Sequence, residues 1–149
     1  QGLRSQIMAT SNAATNYLEH AILQFLFKNN ADSFATLGNH VYVGLATAVS
    51  NAETGALTEA TFGNYARQQV AAAAWTVPAV STDAQTATNS ANIEYPASGG
   101  TNNTITHAFI ADASSSGNIL FIGALDASKA IATGDIFRIN AGNLSIELK

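Results

Sequence analysis

The sequence predicts a mainly β protein, an antiparallel β-sandwich of jelly-roll or immunoglobulin-like type with about seven or eight strands and one N-terminal α-helix. Short runs rich in Val, Ile, Phe and Ala recur between clusters of Gly, Asn, Asp and Ser. One segment near the N-terminus has apolar residues at spacings of three and four, which is typical of a helix. The length of 149 residues suits a single core. We therefore expect residues 12–149 to form one domain and residues 1–11 to form an N-terminal arm or extension.

The predicted helix covers residues 12–28, with Ser11 or Asn12 as its N-cap. Its apolar stripe comprises Tyr17, Leu18, Ala21, Ile22, Phe25 and Leu26, and Leu23 and Phe27 widen it further. So wide a stripe predicts that the helix docks against the sheet with Leu26 in the core. Leu26→Asp is then expected to unfold the domain, because a charge would enter that core.

The predicted strands lie in order within residues 41–48, 65–77, 88–95, 104–125 and 136–148. The second block contains an Ala-rich bend before Trp75, and Pro78 ends its strand or confines it to a sheet edge, since proline cannot donate a hydrogen bond to a neighbouring strand. Residues 104–125 predict a hairpin whose turn is the small polar cluster at 113–118. Residues 136–140 and 144–148 predict a second hairpin around the turn at 141–143.

The first of these hairpins has two apolar faces. In its second strand Ile119, Phe121 and Leu125 share one face, whereas Leu120 and Ile122 lie on the other. Because an antiparallel strand usually shows one polar face to water, both faces of this hairpin need a cover. The helix, an opposing sheet and a neighbouring subunit are the three candidates.

Composition and charge exclude several classes of partner. Charged residues make up 11% of the chain, against about 25% in an average soluble domain, so the surface suits extensive contact with other protein. The net charge is −4, and the six Lys and Arg residues are scattered, which argues against nucleic-acid binding. No stretch is long and apolar enough to predict a membrane span, and the lack of Cys excludes disulfides and thiolate metal sites.

No arrangement of residues predicts catalysis, so we expect no catalytic, cofactor-binding or metal-binding residues and no enzymatic activity. His20, His40 and His107 lack metal-ligand spacing, and the ten carboxylates fall singly. Burial of His107 in the hairpin would favour its neutral form. Arg67 and Arg138 could each hold a carboxylate, and we favour partners within the fold over partners across a subunit boundary. A hydrolase with a dispersed site is the enzymatic alternative.

Five segments resemble a family of small structural proteins of tailed bacteriophages that are described as tail-fibre or minor structural proteins. These segments are NYLEHAILQFLFKN, VYVGLATA, YARQQV, ITHAFIADA with GNILFIGAL, and TGDIFRINAGNLSIEL. The resemblance runs from about residue 16 to the C-terminus and implies a virion component that is assembled in the cytoplasm of a bacterial host.

From this resemblance the leading hypothesis is a capsid decoration, or cement, protein that binds the major capsid protein or other virion proteins. We expect a homo-oligomer, with a trimer favoured, and the N-terminal arm acting as a clamp. The alternative is a tail, baseplate or fibre component, which includes receptor or saccharide binding. Clustering of Tyr65, Trp75 and Tyr95 in an exposed groove would favour saccharide recognition, whereas burial of these rings would favour a scaffold.

Overall fold

The computed structural model describes residues 13–34, 37–80 and 84–148, so the predicted arm at residues 1–11 lies outside the described residues. Within them lie one α-helix, two short 3-10 helices at Ala31–Phe34 and Ala72–Ala74, and eleven strands. The helix is α1 (Asn16–Lys28). The strands are β1 (Ala13–Ala14), β2 (His40–Asn51), β3 (Ala56–Glu59), β4 (Gln68–Ala71), β5 (Trp75–Thr76), β6 (Gln85–Asn89), β7 (Ile93–Glu94), β8 (Asn103–Ala111), β9 (Ile119–Ile131), β10 (Arg138–Ile139) and β11 (Ser145–Leu148).

The main sheet is antiparallel, in the order β1-β9-β8-β2-β3, and β4 pairs with the first residues of β2. The predicted hairpin is confirmed as β8 and β9, which lie in the middle of this sheet. Phe109 of β8 is opposite Ile122 of β9 on one side and Gly44 of β2 on the other. The fold class is confirmed as mainly β and antiparallel with one helix.

A second layer covers one face of the hairpin. It consists of the sheet β11-β6-β5 and the pair β10-β7. Buried side chains of the two layers form one core, to which the main sheet contributes Val43, Leu45, Ile110 and Leu120 and the second layer contributes Ile93, Tyr95, Phe137, Ile139 and Ile146. The opposing sheet is therefore the cover of this face, as one of the sequence alternatives predicted.

The other face of the hairpin holds a smaller core of Phe109, Ile122 and four alanines, Ala13, Ala46, Ala52 and Ala111. Gly44 leaves room for the Phe109 ring, because a Cβ at this position would lie 2.2 Å from the ring atom Cζ. The guanidinium of Arg67 lies over the ring, 5.0 Å from its centroid. Arg67 and the partly buried side chains of Val49, Leu57 and Ile119 therefore cover this smaller core within the described residues.

The helix begins at Asn16, later than predicted, because Ala13 and Ala14 pair with β9 as strand β1. Thr15 is the N-cap instead of Ser11 or Asn12: its hydroxyl accepts from the Leu18 amide at 3.3 Å and donates to the carbonyl of Ile119 at 2.6 Å. The predicted end is confirmed, since Asn29 adopts the left-handed conformation that terminates a helix (φ 52°).

Only one side of α1 docks, so the prediction that Leu26 lies in the core is wrong. Leu18 and Ala21 are buried, whereas Leu26 is 59% exposed. α1 packs at the β9 end of the main sheet and contributes Leu18 to the larger core. A single supporting surface covers roughly a third of a helix, and the predicted stripe was wider than that.

Two strand predictions are also wrong. The run at residues 88–95 is divided between β6 and β7 and does not form one strand. By contrast, the Ala-rich bend predicted before Trp75 is confirmed as the 3-10 turn between β4 and β5. The second hairpin does not form: β10 pairs with β7, and β11 pairs with β6. The turn between them is real, since Gly142 has φ 82° and the amide of Asn143 donates to the carbonyl of Asn140. The chain reverses there but crosses between two small sheets.

Candidate functional site

The most prominent unpartnered surface among the described residues is the outer side of α1. Leu23, Leu26 and Phe27 are 56%, 59% and 77% exposed, and their spacing of three and four residues places them together on the helix surface. We call these three residues the α1 apolar face. Contiguous exposed apolar surface of this kind marks a site of interaction with another molecule. The sequence identified the three residues as part of the apolar stripe and assigned Leu26 to the core.

The two ends of α1 carry opposite charges. Glu19 lies in the first turn and Lys28 in the last, and both are exposed. Each charge complements the helix dipole at its own end. Between them the α1 apolar face itself carries no charged group. Since the two residues are nine positions, or about two and a half turns, apart, they point to opposite sides of the helix and do not both border the α1 apolar face.

Arg67 is held within the fold, which confirms the interpretation favoured from the sequence. Its guanidinium makes a two-pronged ion pair with Glu59 at 2.8 and 2.9 Å. It also donates to the carbonyls of Ala113 and Ser116 at 2.9 and 2.8 Å, in the turn of the β8–β9 hairpin. Its side chain is only 6% exposed, and the hydrogen bond with Glu59 raises the pKa of Arg67. Arg67 therefore fixes the hairpin turn to the end of β3.

Tyr65 completes this network. Its hydroxyl donates to Glu59 at 2.8 Å and accepts from the amide of Leu45 at 2.9 Å. Burial raises the pKa of Tyr65 far above its usual value. Neither Arg67 nor Tyr65 is available for chemistry on a substrate, since their polar groups are engaged by the protein. The sequence singled out Arg67, but nothing in the spacing identified Glu59 as its partner.

Arg138 also pairs within the fold, as favoured from the sequence. Its Nε donates to Glu94 at 2.6 Å, and both side chains are about half exposed. The pair joins β10 to β7 across their ladder, where Arg138 lies opposite Glu94. It is a surface contact of small energetic value.

The three aromatic residues considered for saccharide recognition do not line an exposed groove. Tyr95 is 1% exposed, and its hydroxyl donates to the carbonyl of Val43 at 2.8 Å. Tyr65 stacks on it with ring centroids 6.0 Å apart, and Trp75 is partly buried against the same core. Burial raises the pKa of Tyr95 well above its usual value. By the criterion set from the sequence, this burial favours a scaffold.

The histidines are spread over different parts of the fold. His20 is exposed on α1, His40 begins β2, and His107 lies in β8. His107 Nδ1 lies 2.7 Å from the Thr106 hydroxyl, whereas its Nε2 is buried without a hydrogen-bond partner among the described residues. Desolvation lowers the pKa of His107, in the direction expected from its place in the hairpin. Within residues 13–34, 37–80 and 84–148, no three His, Asp or Glu side chains converge as metal ligands would.

A cleft of about 360 Å³ separates the β8–β9 hairpin from β10 and β11. Phe121, Leu125, Phe137 and Leu144 contribute to its mainly apolar lining. No local sequence pattern could reveal this cleft, because its lining is contributed by strands of different sheets. Its polar lining residues are Asp126, Arg138, Asn143 and Ser145, and no His is among the lining residues.

The helices of the described part of the chain include none that is long and apolar enough to cross a membrane. Comparison with curated proteins gives no significant match. Comparison with protein-family models matches residues 13–147 to the family described as podophage GP4 fiber I protein gp80. This match spans nearly all of the β-rich domain and agrees with the resemblance found in its segments. The chain therefore belongs to this family of bacteriophage fibre proteins, and it is a phage virion structural protein by family.

Proposed function

We propose that this protein is a structural component of a phage fibre and acts through protein–protein contacts rather than through catalysis. The single observation that carries the proposal is the α1 apolar face, formed by Leu23, Leu26 and Phe27, which the fold leaves exposed. A helix that retains three large apolar side chains in water is suited to assembly with other protein. The fibre family of the chain supports this role.

The family match favours the fibre alternative over capsid decoration, which was the leading hypothesis from the sequence. The hydrogen-bond networks of Arg67 and Tyr95 are suited to a module that transmits mechanical force. Arg67 and Glu59 tie a loop to the central hairpin, and Tyr95 joins the two layers through its bond to Val43. These contacts make the module rigid without forming a site for a small substrate. Assembly in the host cytoplasm, with other virion proteins as partners, is part of the same proposal.

The position of the protein in the virion tests this proposal. Virions that contain the protein are labelled with a gold-conjugated antibody raised against the purified chain, and an antibody against the major capsid protein serves as the control. We expect label on fibres and none spread over the shell. Label distributed evenly over the capsid would support decoration and overturn the fibre role.

A second measurement separates the two roles by their physical consequence. Virions assembled without the protein should lose fibre density in electron cryomicroscopy and keep the thermal stability of their shells. A cement protein acts by linking capsid subunits, so its loss would lower the temperature at which the shell opens. Intact fibres on virions with weakened shells would contradict the proposal.

The structural role also predicts that the purified chain leaves polysaccharide and peptide panels unchanged. Product formation that is lost when carboxylates are replaced by amides would establish the dispersed-site hydrolase instead. Product formation that survives these replacements would indicate a contaminating enzyme and leave the fibre role standing.

A further inference from the structure

The cleft between the two layers lies beside the point where the described part of the chain begins. Ala13 and Ala14 form β1 and pair with Ile122 and Phe121 of β9. Phe121 and Ile122 also line the cleft. The twelve residues that precede β1 in the sequence, which lie outside the described residues, therefore join the domain at the wall of this cleft.

The direction of β1 points these twelve residues along the cleft. β1 runs antiparallel to β9, so the chain that precedes Ala13 heads from the level of Ile122 toward Leu125 and Asp126. Both of these residues line the cleft. Among the described strands, β1 is the neighbour of β9 on this side, and β8 is its neighbour on the other. Residues 1–12 thus start at one end of the cleft and are directed along its rim.

Regular pairing on this edge of β9 has room for about two more residues. Continued from β1, the same register would bring Asn12 opposite Gly123 and Ser11 opposite Ala124. Beyond Ala124, β9 bulges away from β8, because residues 125–128 occupy the place that faces Thr106 alone. A bulge bends a strand and interrupts its ladder. The residues before Ser11 would therefore leave β9 at the mouth of the cleft.

The alternation of side chains selects the residue that would enter the cleft. Ala14 belongs to the larger core between the two layers, whereas Ala13 belongs to the smaller core on the other face of the hairpin. In an extended chain, residues 8, 10 and 12 share the side of Ala14, and residues 7, 9 and 11 share the side of Ala13. Met8 is the large apolar residue on the side of Ala14. Three residues of extended chain, about 10 Å, separate it from Ser11.

The lining of the cleft suits a methionine side chain. Phe121, Leu125, Phe137 and Leu144 contribute apolar surface to a volume of about 360 Å³. An apolar side chain placed there gives these groups dispersion contacts. Methionine is unbranched and fills irregular gaps, and its sulfur packs favourably against aromatic rings such as those of Phe121 and Phe137.

We propose that residues 7–12 run along the mouth of the cleft on their own domain and that Met8 inserts its side chain between the two layers. The occupant of the cleft is then a segment of the same chain. This inference goes beyond the proposed fibre role and differs from the clamp on a partner protein that the sequence favoured for the N-terminal arm.

The position of Met8 can be observed directly, because it is the single methionine of the chain. The full chain is labelled isotopically at the methionine methyl group, and NMR spectra and sedimentation velocity are recorded on the same samples over a range of concentrations. We expect nuclear Overhauser contacts from the Met8 methyl group to Phe ring protons and Leu methyl groups in the monomer. Phe121→Leu should shift the methyl signal by removing a ring current, whereas the control Phe27→Leu, on the α1 apolar face, should not.

Oxidation by peroxide provides a second measurement, since the rate at which methionine is oxidised follows its exposure. Met8 should be oxidised about tenfold or more slowly in the folded chain than in the chain unfolded by urea, because oxidation then requires local opening.

A pair of neighbouring variants tests the side of the segment that docks. Met8→Ser should lower the urea midpoint and increase the binding of an apolar fluorescent dye, and Met8→Leu should restore both. Ile7→Ser is the matched control, because residue 7 lies on the opposite side of an extended chain, and it should change neither quantity. Removal of residues 1–6 should also leave both unchanged.

Four results would overturn the proposal. They are oxidation of Met8 at the rate of the unfolded chain, a methyl group without contacts to Phe or Leu, equal effects of the serine variants at residues 7 and 8, and contacts that appear only as copies associate. The last result would assign the cleft to the segment of a neighbouring copy. None of them decides whether the protein lies in a fibre, which is tested on the virion, so the two proposals fail separately.

Discussion

Strand β2 approaches the ring of Phe109 closely at Gly44. Gly44→Ala is therefore the most direct test of packing on the face of the hairpin that holds Phe109 and Ile122. A Cβ at residue 44 would lie 2.2 Å from the ring atom Cζ and 2.6 Å from both Cε atoms. Carbon atoms in contact are about 3.5–4.0 Å apart, so the ring or the strand must move by more than about 1 Å.

The ring has little room to move. Phe109 is 1% exposed, faces Ile122 on the neighbouring strand, and has the guanidinium of Arg67 over it at 5.0 Å. Overpacking of a core costs about 1–3 kcal/mol. Loss of the extra freedom of glycine in the unfolded chain offsets about 0.4–1 kcal/mol of this cost. We therefore expect Gly44→Ala to lower the free energy of unfolding by about 1–2 kcal/mol.

The assay is urea unfolding at one fixed protein concentration, in which the midpoint should fall while the slope stays constant. Gly123→Ala is the matched control, since Gly123 lies in β9 and has no atom within 4 Å of a Cβ built there. It should be neutral or slightly stabilising. Combining Gly44→Ala with Phe109→Leu should cost less than the sum of the single changes, because the shorter side chain vacates the space. Equal effects at residues 44 and 123, or simple additivity in the double variant, would refute the reasoning.

Two further predictions concern charge. Arg67→Lys should destabilise the domain by about 2–3 kcal/mol, because lysine cannot reproduce the two-pronged contact with Glu59, whereas Arg138→Lys at the exposed pair should change stability by less than about 0.5 kcal/mol. Equal urea midpoints for these two variants would contradict the structural role of Arg67. Because the pKa of His107 is lowered in the folded protein, His107 binds a proton more readily in the unfolded chain. The free energy of unfolding should therefore be highest above about pH 6.5 and decline as the pH falls below that value. His107→Gln should reduce this decline between about pH 8 and pH 5, whereas the control His20→Gln, at an exposed site, should show the same decline as the wild type. An unchanged decline in His107→Gln would show that other groups cause it.

Local sequence signals predicted the central hairpin well. The polar cluster at residues 113–118 gives the turn, and Gly117 and Ser116 adopt positive φ there. The sequence also predicted the two apolar faces, but it did not determine which elements cover them. The cover of one face includes Tyr95, which reaches Val43 from 52 residues away in the sequence. The pattern of apolar residues along a strand indicates that both faces are buried. It does not indicate which distant segment covers each face.

The errors at the C-terminus have the same origin. The turn at residues 141–143 follows from local chemistry and was identified correctly, with Gly142 at positive φ. The partners of β10 and β11 are set by segments about 45–65 residues earlier in the chain. β10 pairs with β7 and β11 pairs with β6, and the two flanking strands do not pair with each other.

The sequence by itself determined the mainly β class, the single leading helix, the charge-poor surface and the central hairpin, because each follows from the kind and spacing of nearby residues. The tertiary structure decided which side of α1 is buried. Leu18 and Leu26 are equally apolar and lie on the same short helix, yet one is 7% exposed and the other 59%. The periodicity of a helix defines its faces, but only the position of the sheet selects the one that docks. That selection leaves Leu23, Leu26 and Phe27 exposed, so one side of the predicted apolar stripe becomes the candidate contact surface.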